Sequence, residues 1–259
     1  MNRTTKQILY GAFYVLFWCL VFYVGYRLTL KPPASCVDEI RNRDEVEVDC
    51  GGSFCPSCEI KRLAPIEFVP VVLLSGTDES TTSAIVEIRN QNPAYGTARL
   101  TAEVRFLSAE GEALYTEPLQ LPMYPSELKY RLLVNLPVAR QKVARAEVAI
   151  TAPYEWLSIA EFARPKTPLR DVKVQYTAAS GGRATITGLV RNDNPFSLRR
   201  STLSVIILDA QGEPVAASKT FVQDLLAAEE RFFKIEVPLP TNTDTAKLGE
   251  PRVVADAER

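Results

Sequence analysis

From Ile8 to Tyr26 nineteen consecutive residues, ILYGAFYVLFWCLVFYVGY, carry no charge, and Leu28 to Leu30 extend the apolar run past Arg27. A helix needs about 20 apolar residues to cross the hydrocarbon core of a bilayer, so residues 8–30 are expected to form a transmembrane helix. Tyr10, Tyr14, Tyr23 and Tyr26 suit the membrane interfaces, while Trp18 falls near mid-depth. Gly11 and Gly25 are too far apart for a GxxxG seam, and Cys19 reads as a small hydrophobe within the helix. The apolar run exceeds the roughly 7–15-residue core of a cleaved signal peptide, and the exit RLTLKPPASC puts prolines where a cleavage site needs small residues. The segment is therefore read as an uncleaved anchor, with residues 1–7 before it. Arg3 and Lys6 on one side nearly balance Arg27 and Lys31 on the other, and the free amino terminus tips the N-terminus toward the cytoplasm.

Residues 31–62 form a second region, in which Cys36, Cys50, Cys55 and Cys58 lie within CVDEIRNRDEVEVDCGGSFCPSC. So short a segment cannot bury a core, and it needs covalent or metal support. Four cysteines just beyond an anchor point to two disulfides in an oxidising compartment, with three pairings open. That compartment places the C-terminal bulk outside the cytoplasm. A four-thiolate zinc site is the competing reading, and it would reverse the topology. A thiol-redox CxxC needs the pair at the start of a helix in a βαβ unit, and EIKRLAPIEF offers no such context. Pro33, Ala34 and Ser35 before Cys36 are weakly similar to a lipoprotein site, but Pro33 replaces the expected aliphatic residue and Lys31 interrupts the approach. Asp38, Asn42, Glu45 and Asp49 offer oxygens for calcium, although their spacing fits no EF-hand loop and acids in such a knot also cap turns.

The matching positions Cys36, Asp38, Asn42, Glu45, Asp49, Cys50, Gly51, Gly52, Cys55 and Cys58 resemble a signature of bacterial surface proteins, C-x-D-G-x-x-N-x-x-E-x-x-x-D-C-G-G followed by C-x-x-C. The resemblance implies surface exposure and no activity. Glu39 departs from it by standing where the pattern has glycine, the residue suited to positive φ.

Beyond residue 62 the chain echoes itself. VEIRNQNP at 86–93 returns as GLVRNDNP at 188–195, FLSAEGE at 106–112 as ILDAQGE at 207–213, and YRLLVNLP at 130–137 as FKIEVPLP at 233–240. Two copies of one domain are expected, at 63–152 and 169–259. Residues 153–168 serve as linker, with a helix or an extended strand open for PYEWLSIAEFA at 153–163. Leu100, Ala102, Val104 and Phe106 alternate with polar residues, as do Phe233, Ile235, Val237 and Leu239, and turn signals recur between such runs. Six to seven strands per copy suit an immunoglobulin-like sandwich of about 100 residues. The expected fold is thus mainly β: a transmembrane helix, a small disulfide-rich segment and two immunoglobulin-like β-sandwich domains in tandem. Asn90, Asn92 and Pro93, with Asn192, Asn194 and Pro195, follow a strand in each copy and read as a structural turn, since Asn forms Asx-turns and Pro fixes a corner. The second copy resembles the FxLYD-type domain of bacterial envelope proteins in its Val190-Arg191-Asn192 strand end, its Ile206–Gly212 hairpin and its late Phe-rich strand. The Asn-Pro corner is also similar to the type-2 late-embryogenesis-abundant domain. Both resemblances imply non-catalytic structural or interaction modules.

The chain has no histidine, which removes Ser-His-Asp and Cys-His catalysis and every imidazole-ligated metal site. Nothing singles out a carboxylate pair or a Ser-Lys pair for other chemistry. A net charge of −1 leaves no basic excess for nucleic acid. The sequence therefore describes a non-enzymatic, cofactor-free protein held in the cell membrane by its N-terminal helix. It would bind or scaffold a protein or envelope partner, or serve as a structural subunit of a larger membrane complex.

Overall fold

A computed structural model describes residues 3–27, 35–76, 78–177, 182–240 and 243–258. The protein is mainly β, with 48% strand against 14% helix. Its helical part is dominated by α1, Arg3–Gly25, within which Thr5–Gly25 has a mean hydropathy of 2.0 and no part buried inside the protein. The expected residues 28–30 of the span, and the prolines that follow, lie outside the described residues. The chain divides into two compact units, Met1–Leu63 and Ala64–Arg259.

The first unit continues, after α1, into a knot of turns at 35–57 that ends in α2, Cys58–Lys61. Ser57 caps α2, its hydroxyl accepting from the Ile60 amide at 3.3 Å. Two disulfides close the knot, Cys36–Cys55 and Cys50–Cys58. They span 19 and 8 residues, and by loop closure each stabilises by about 2–3 kcal/mol, the larger loop slightly more.

The second unit contains fourteen strands among the described residues: β1 (Glu67–Phe68), β2 (Val72–Ser75), β3 (Thr82–Arg89), β4 (Tyr95–Leu107), β5 (Ala113–Met123), β6 (Leu128–Leu136), β7 (Arg145–Ile150), β8 (Leu157–Ser158), β9 (Leu169–Thr177), β10 (Arg183–Arg191), β11 (Leu198–Leu208), β12 (Pro214–Leu225), β13 (Glu230–Pro238) and β14 (Arg252–Glu258). All their pairings are antiparallel. In one sheet β3 lies between β6 and the short β1 and β2; in the next, β4 lies between β5 and β7, with β8 on its first residues. The same order returns as β13-β10-β9 and β12-β11-β14. Each pair of sheets encloses a core. Val86, Ile88, Leu100, Val104, Phe106 and Met123 fill the first; Ile186, Leu203, Val205, Ile207, Phe233 and Ile235 fill the second. The alternating runs of β4 and β13 point inward, as their period of two requires.

The sequence echoes map onto this order with one correction. The turns Ser108–Glu112 and Asp209–Glu213 close through the same bonds, the Ser108 amide to the Glu112 carbonyl and the Asp209 amide to the Glu213 carbonyl, both at 2.9 Å. In β6 and β13, however, Val86 pairs with Arg131 while its counterpart Gly188 pairs with Phe233. Arg131, not Tyr130, thus occupies the place of Phe233. The apparent match of YRLLVNLP to FKIEVPLP is one residue out of register from Tyr130 to Leu133, and a one-residue slip exchanges the faces of a strand. Leu133 accordingly enters the first core, Leu136 joins it past a bulge opposite Ser83, and Tyr130, Leu132 and Val134 face away from it.

That outward face is covered. Leu74, Ile85 and Leu132 pack with Ile206 of β11 in a third apolar cluster, edged by Val72, Tyr130, Val134, Leu208 and Ala217. Lys219 donates to the Leu132 carbonyl at 2.9 Å, and Arg252 bonds the Tyr130 hydroxyl. The two sandwiches are therefore stacked through the β2-β3-β6 and β11-β12-β14 sheets, making four layers in one compact unit. No helix forms over residues 153–163. Tyr154 and Trp156 alternate into the first core, β8 pairs with β4, and Phe162 stacks on Tyr124 with ring centroids 4.6 Å apart. The stretch expected as linker is, in its first ten residues, part of the first sandwich.

Candidate functional site

The knot is built around carboxylates. Asp49, 7% exposed, accepts from the amides of Asp38 at 2.9 Å and Glu39 at 3.0 Å. Glu45 is also buried, and its Oε2 accepts from the amides of Asn42 at 3.1 Å and Asp49 at 3.2 Å. Asp38 accepts from the Ser35 and Ile40 amides and from Asn42 Nδ2, and Asp44 accepts from the Ser53 amide at 2.7 Å. The Ser35 amide bond leads the causes that hold the Asp38 carboxyl below its ordinary value, and the Ser53 amide does the same for Asp44. The four residues weighed as calcium ligands are thus brought together, but as acceptors and donors for their own loop. Such acceptors offset the desolvation of amides that a loop-rich knot leaves without secondary structure.

Glu39 adopts φ 59°, a left-handed conformation that glycine would take without strain. The bond from its amide to Asp49 holds it there. Gly51 and Gly52 also have positive φ, and a Cβ on Gly52 would lie 2.5 Å from the Asp44 carbonyl oxygen. Cys55 and Cys58 of the CxxC belong to different bridges, so they do not form one redox pair. Glu45 lies beside the first bridge and Glu47 beside the second, yet sulfurs held in disulfides have no thiolate to give a metal.

The Asn-x-Asn-Pro elements lie at the corners after β3 and β10. Asn90 Nδ2 donates to the carbonyls of Tyr95 at 2.8 Å and Tyr124 at 2.9 Å, and Asn192 Nδ2 donates to those of Phe196, Leu225 and Leu226 at 2.8, 3.1 and 3.0 Å. Their Oδ1 atoms accept from the amides of Asn92 and Asn194, both at 3.1 Å. Asn92 in turn makes a two-way bridge to the backbone of Ala64, as Asn194 does to Lys166. All four amides are buried and occupied in joining backbone segments, while Pro93 and Pro195 are exposed on the turn.

Facing the first corner is a charged cluster for which the sequence carried no local signal. Glu127 and Lys129 are 3% and 4% exposed. Lys129 Nζ lies 3.0 Å from Asp256 of β14 and 3.6 Å from Glu127, and it donates to the Pro122 carbonyl at 2.7 Å. Arg164 approaches Glu127 at 3.7 Å. Burial pushes the Glu127 carboxyl above its ordinary value against the pull of Lys129 and the Tyr124 amide, and pushes the Tyr124 phenol up to about 12. Asp256 is 127 residues from Lys129, which is why no spacing rule finds the pair.

A cleft of about 270 Å³ opens where the sandwiches stack, walled by Val69, Pro70, Val72, Ile206, Leu208 and Pro214 with Glu87, Glu213, Tyr130 and Arg252. None of its described lining residues is serine, threonine, cysteine or lysine, so it holds no nucleophile of those types. The two outward faces of the stack differ. Thr101, Glu103 and Arg105 lie on that of β4-β5-β7, with Glu103 paired to Arg105, whereas the β9-β10-β13 sheet exposes Phe232, cross-strand from Leu189.

No protein-family model matches this chain, and no curated protein matches it. Among solved structures, a transglutaminase from red sea bream is similar at a TM-score of 0.26 and 12% identity, over 76% of this chain and 30% of that one. This chain thus spans less than a third of the enzyme's length, and so slight a likeness bears on neither fold nor chemistry.

Proposed function

We propose that this protein is a cell-envelope module held in the membrane by α1, with its disulfide knot and β unit on the extracytoplasmic side, and that it binds or scaffolds a partner without catalysing a reaction. The observation that carries the reading is the uncovered apolar helix ending at Gly25, followed by two disulfides whose first cysteine is Cys36. An apolar helix without protein cover fits lipid, and disulfides fit an oxidising compartment. The surface-protein signature of the knot and the FxLYD-like character of the sandwiches agree with a bacterial surface. The repeated strand order supports a duplicated domain. The exposed Phe232 beside Leu189 suits contact with a protein, which also supports the second reading, a structural subunit of a larger membrane complex.

Protease protection in right-side-out vesicles, with non-reducing mass spectrometry of the chain, tests the reading. Digestion of everything beyond residue 35 by external protease, and a mass deficit of two disulfides, are expected. Free thiols with bound zinc, or a β unit shielded from external protease, would overturn it.

A further inference from the structure

The knot has its polarity reversed. Its interior holds Glu45 and Asp49, while Val37 is 86%, Phe54 70%, Val46 61% and Ile40 60% exposed. Buried carboxylates and bare large apolar side chains are the informative departures from ordinary burial. Val37 and Phe54 each adjoin the Cys36–Cys55 bridge, whose Cα atoms are 5.5 Å apart, and the Arg43 guanidinium sits 4.8 Å from the centre of the Phe54 ring. An aromatic ring with a guanidinium over it suits the boundary between acyl chains and headgroups, where apolar carbon and charge are both accommodated. Disulfides hold these groups outward, so the knot cannot collapse to hide them.

The tether narrows the choice of partner. Ser35 lies eight residues beyond Arg27. Fully extended, that distance is at most about 29 Å, and an interfacial zone of roughly 5–8 Å flanks the hydrocarbon core. A lipid surface is therefore within reach of the knot in every molecule whose α1 spans a bilayer.

We infer that the knot is a second membrane contact, lying on the surface of the bilayer that α1 crosses, with Val37, Ile40 and Phe54 at the acyl–headgroup boundary and Arg43 at the level of the phosphates. The inference rests on the reading of α1 as a membrane span. Residues 35–62 carry seven acidic and four basic side chains, so apolar insertion and not attraction to anionic lipid drives the contact.

The test uses the full chain in phosphatidylcholine vesicles whose acyl chains are brominated either near the headgroup or near the chain end. Phe54→Trp is made in a Trp18→Phe background; Trp18→Phe alone gives the emission of the remaining Trp156, which is subtracted from that of the double variant to report the introduced indole and from that of the wild type to report Trp18. The introduced indole, inserted about 5–10 Å deep, is expected to lose roughly half or more of its emission to the shallow bromines and less to the deep ones. Replacing part of the lipid with phosphatidylglycerol should leave that quenching unchanged. Quenched Trp18 with an unquenched, iodide-accessible indole at position 54 would overturn the inference and leave the anchor intact. Unquenched Trp18 would overturn the anchor, and the inference with it. Should Phe54→Trp fail to form both disulfides, Val37→Trp at the other side of the same bridge gives the same reading.

Discussion

The corners that follow β3 and β10 use the same backbone device and place it in opposite surroundings. Each begins with a buried asparagine that ties its own turn to the end of the β5 or β12 strand. Each closes on a glutamate that accepts a backbone amide, Tyr124 to Glu127 at 2.8 Å and Leu226 to Glu229 at 2.7 Å. Glu127 lies under Arg164, Lys129 and, from the other sandwich, Asp256, whereas Glu229 remains at the surface with Arg231. Burial raises the carboxyl of Glu127, while the Arg231 side chain and then the Leu226 amide lower that of Glu229. Sequence builds the corner; the stacking of the sandwiches decides what its charge costs.

The largest effects should fall on what the corners share. Asn90→Ala and Asn192→Ala each remove the side-chain donor to one buried carbonyl, that of Tyr124 or Leu225, and the acceptor of one buried amide, that of Asn92 or Asn194, and each is expected to cost about 4 kcal/mol in guanidinium denaturation of the full chain in mild detergent. A loss confined to one copy would break the equivalence of the corners. The next effects separate them. Lys129→Met leaves Glu127 buried without its nearest cation and should cost about 3 kcal/mol, whereas Arg231→Met removes an exposed partner and should cost under about 1 kcal/mol. Equal losses would show that stacking does not bury the first corner.

The pH dependence should differ in sign. Glu229, whose folded value is lowered, contributes stability that is present above its ordinary value of 4.5 and lost as pH falls through the folded value. Glu127, whose folded value is raised, takes up its proton earlier in the folded chain, so its contribution grows as pH falls from that value toward 4.5. In stability profiles between about pH 3 and 7, Glu127→Gln should remove a gain on the acid side and Glu229→Gln should remove a loss. Matching profiles would refute the contrast. The smallest effect is again common to both corners. Ser126 and Ala228 hold φ of 51° and 60°, and glycine at either place relieves left-handed strain at some cost in unfolded-chain entropy. A gain of about 0.5 kcal/mol in each variant is expected from the same denaturation curves.

Much of this was legible because it depends on local pattern. The uncharged run before Arg27, the alternation in β4 and β13 and the Asn-x-Asn turns follow from transfer free energy, strand pleat and Asx geometry, which act over a few residues. Other features were encoded but ambiguous. Ala84-Ile85-Val86, Leu132-Leu133 and Val205-Ile206-Ile207 are consecutive apolar runs, the mark of strands buried on both faces. They signalled a sheet covered twice, a signal that a search for strict alternation passes over. Tyr154 and Trp156 likewise alternate like a strand within a segment whose composition also suited a helix.

Four closely spaced cysteines established by themselves that this segment needed covalent or metal support, and the absent histidines ruled out imidazole chemistry anywhere in the chain. The pairing 36–55 and 50–58, the inward turn of Glu45 and Asp49, and the meeting of Lys129 with Asp256 were decided only in three dimensions. The physical reason is range. Hydrophobic periodicity and turn chemistry are sums over neighbours in sequence, whereas a disulfide partner or a buried counter-charge is selected by which backbones come within a few ångströms after every local element has packed.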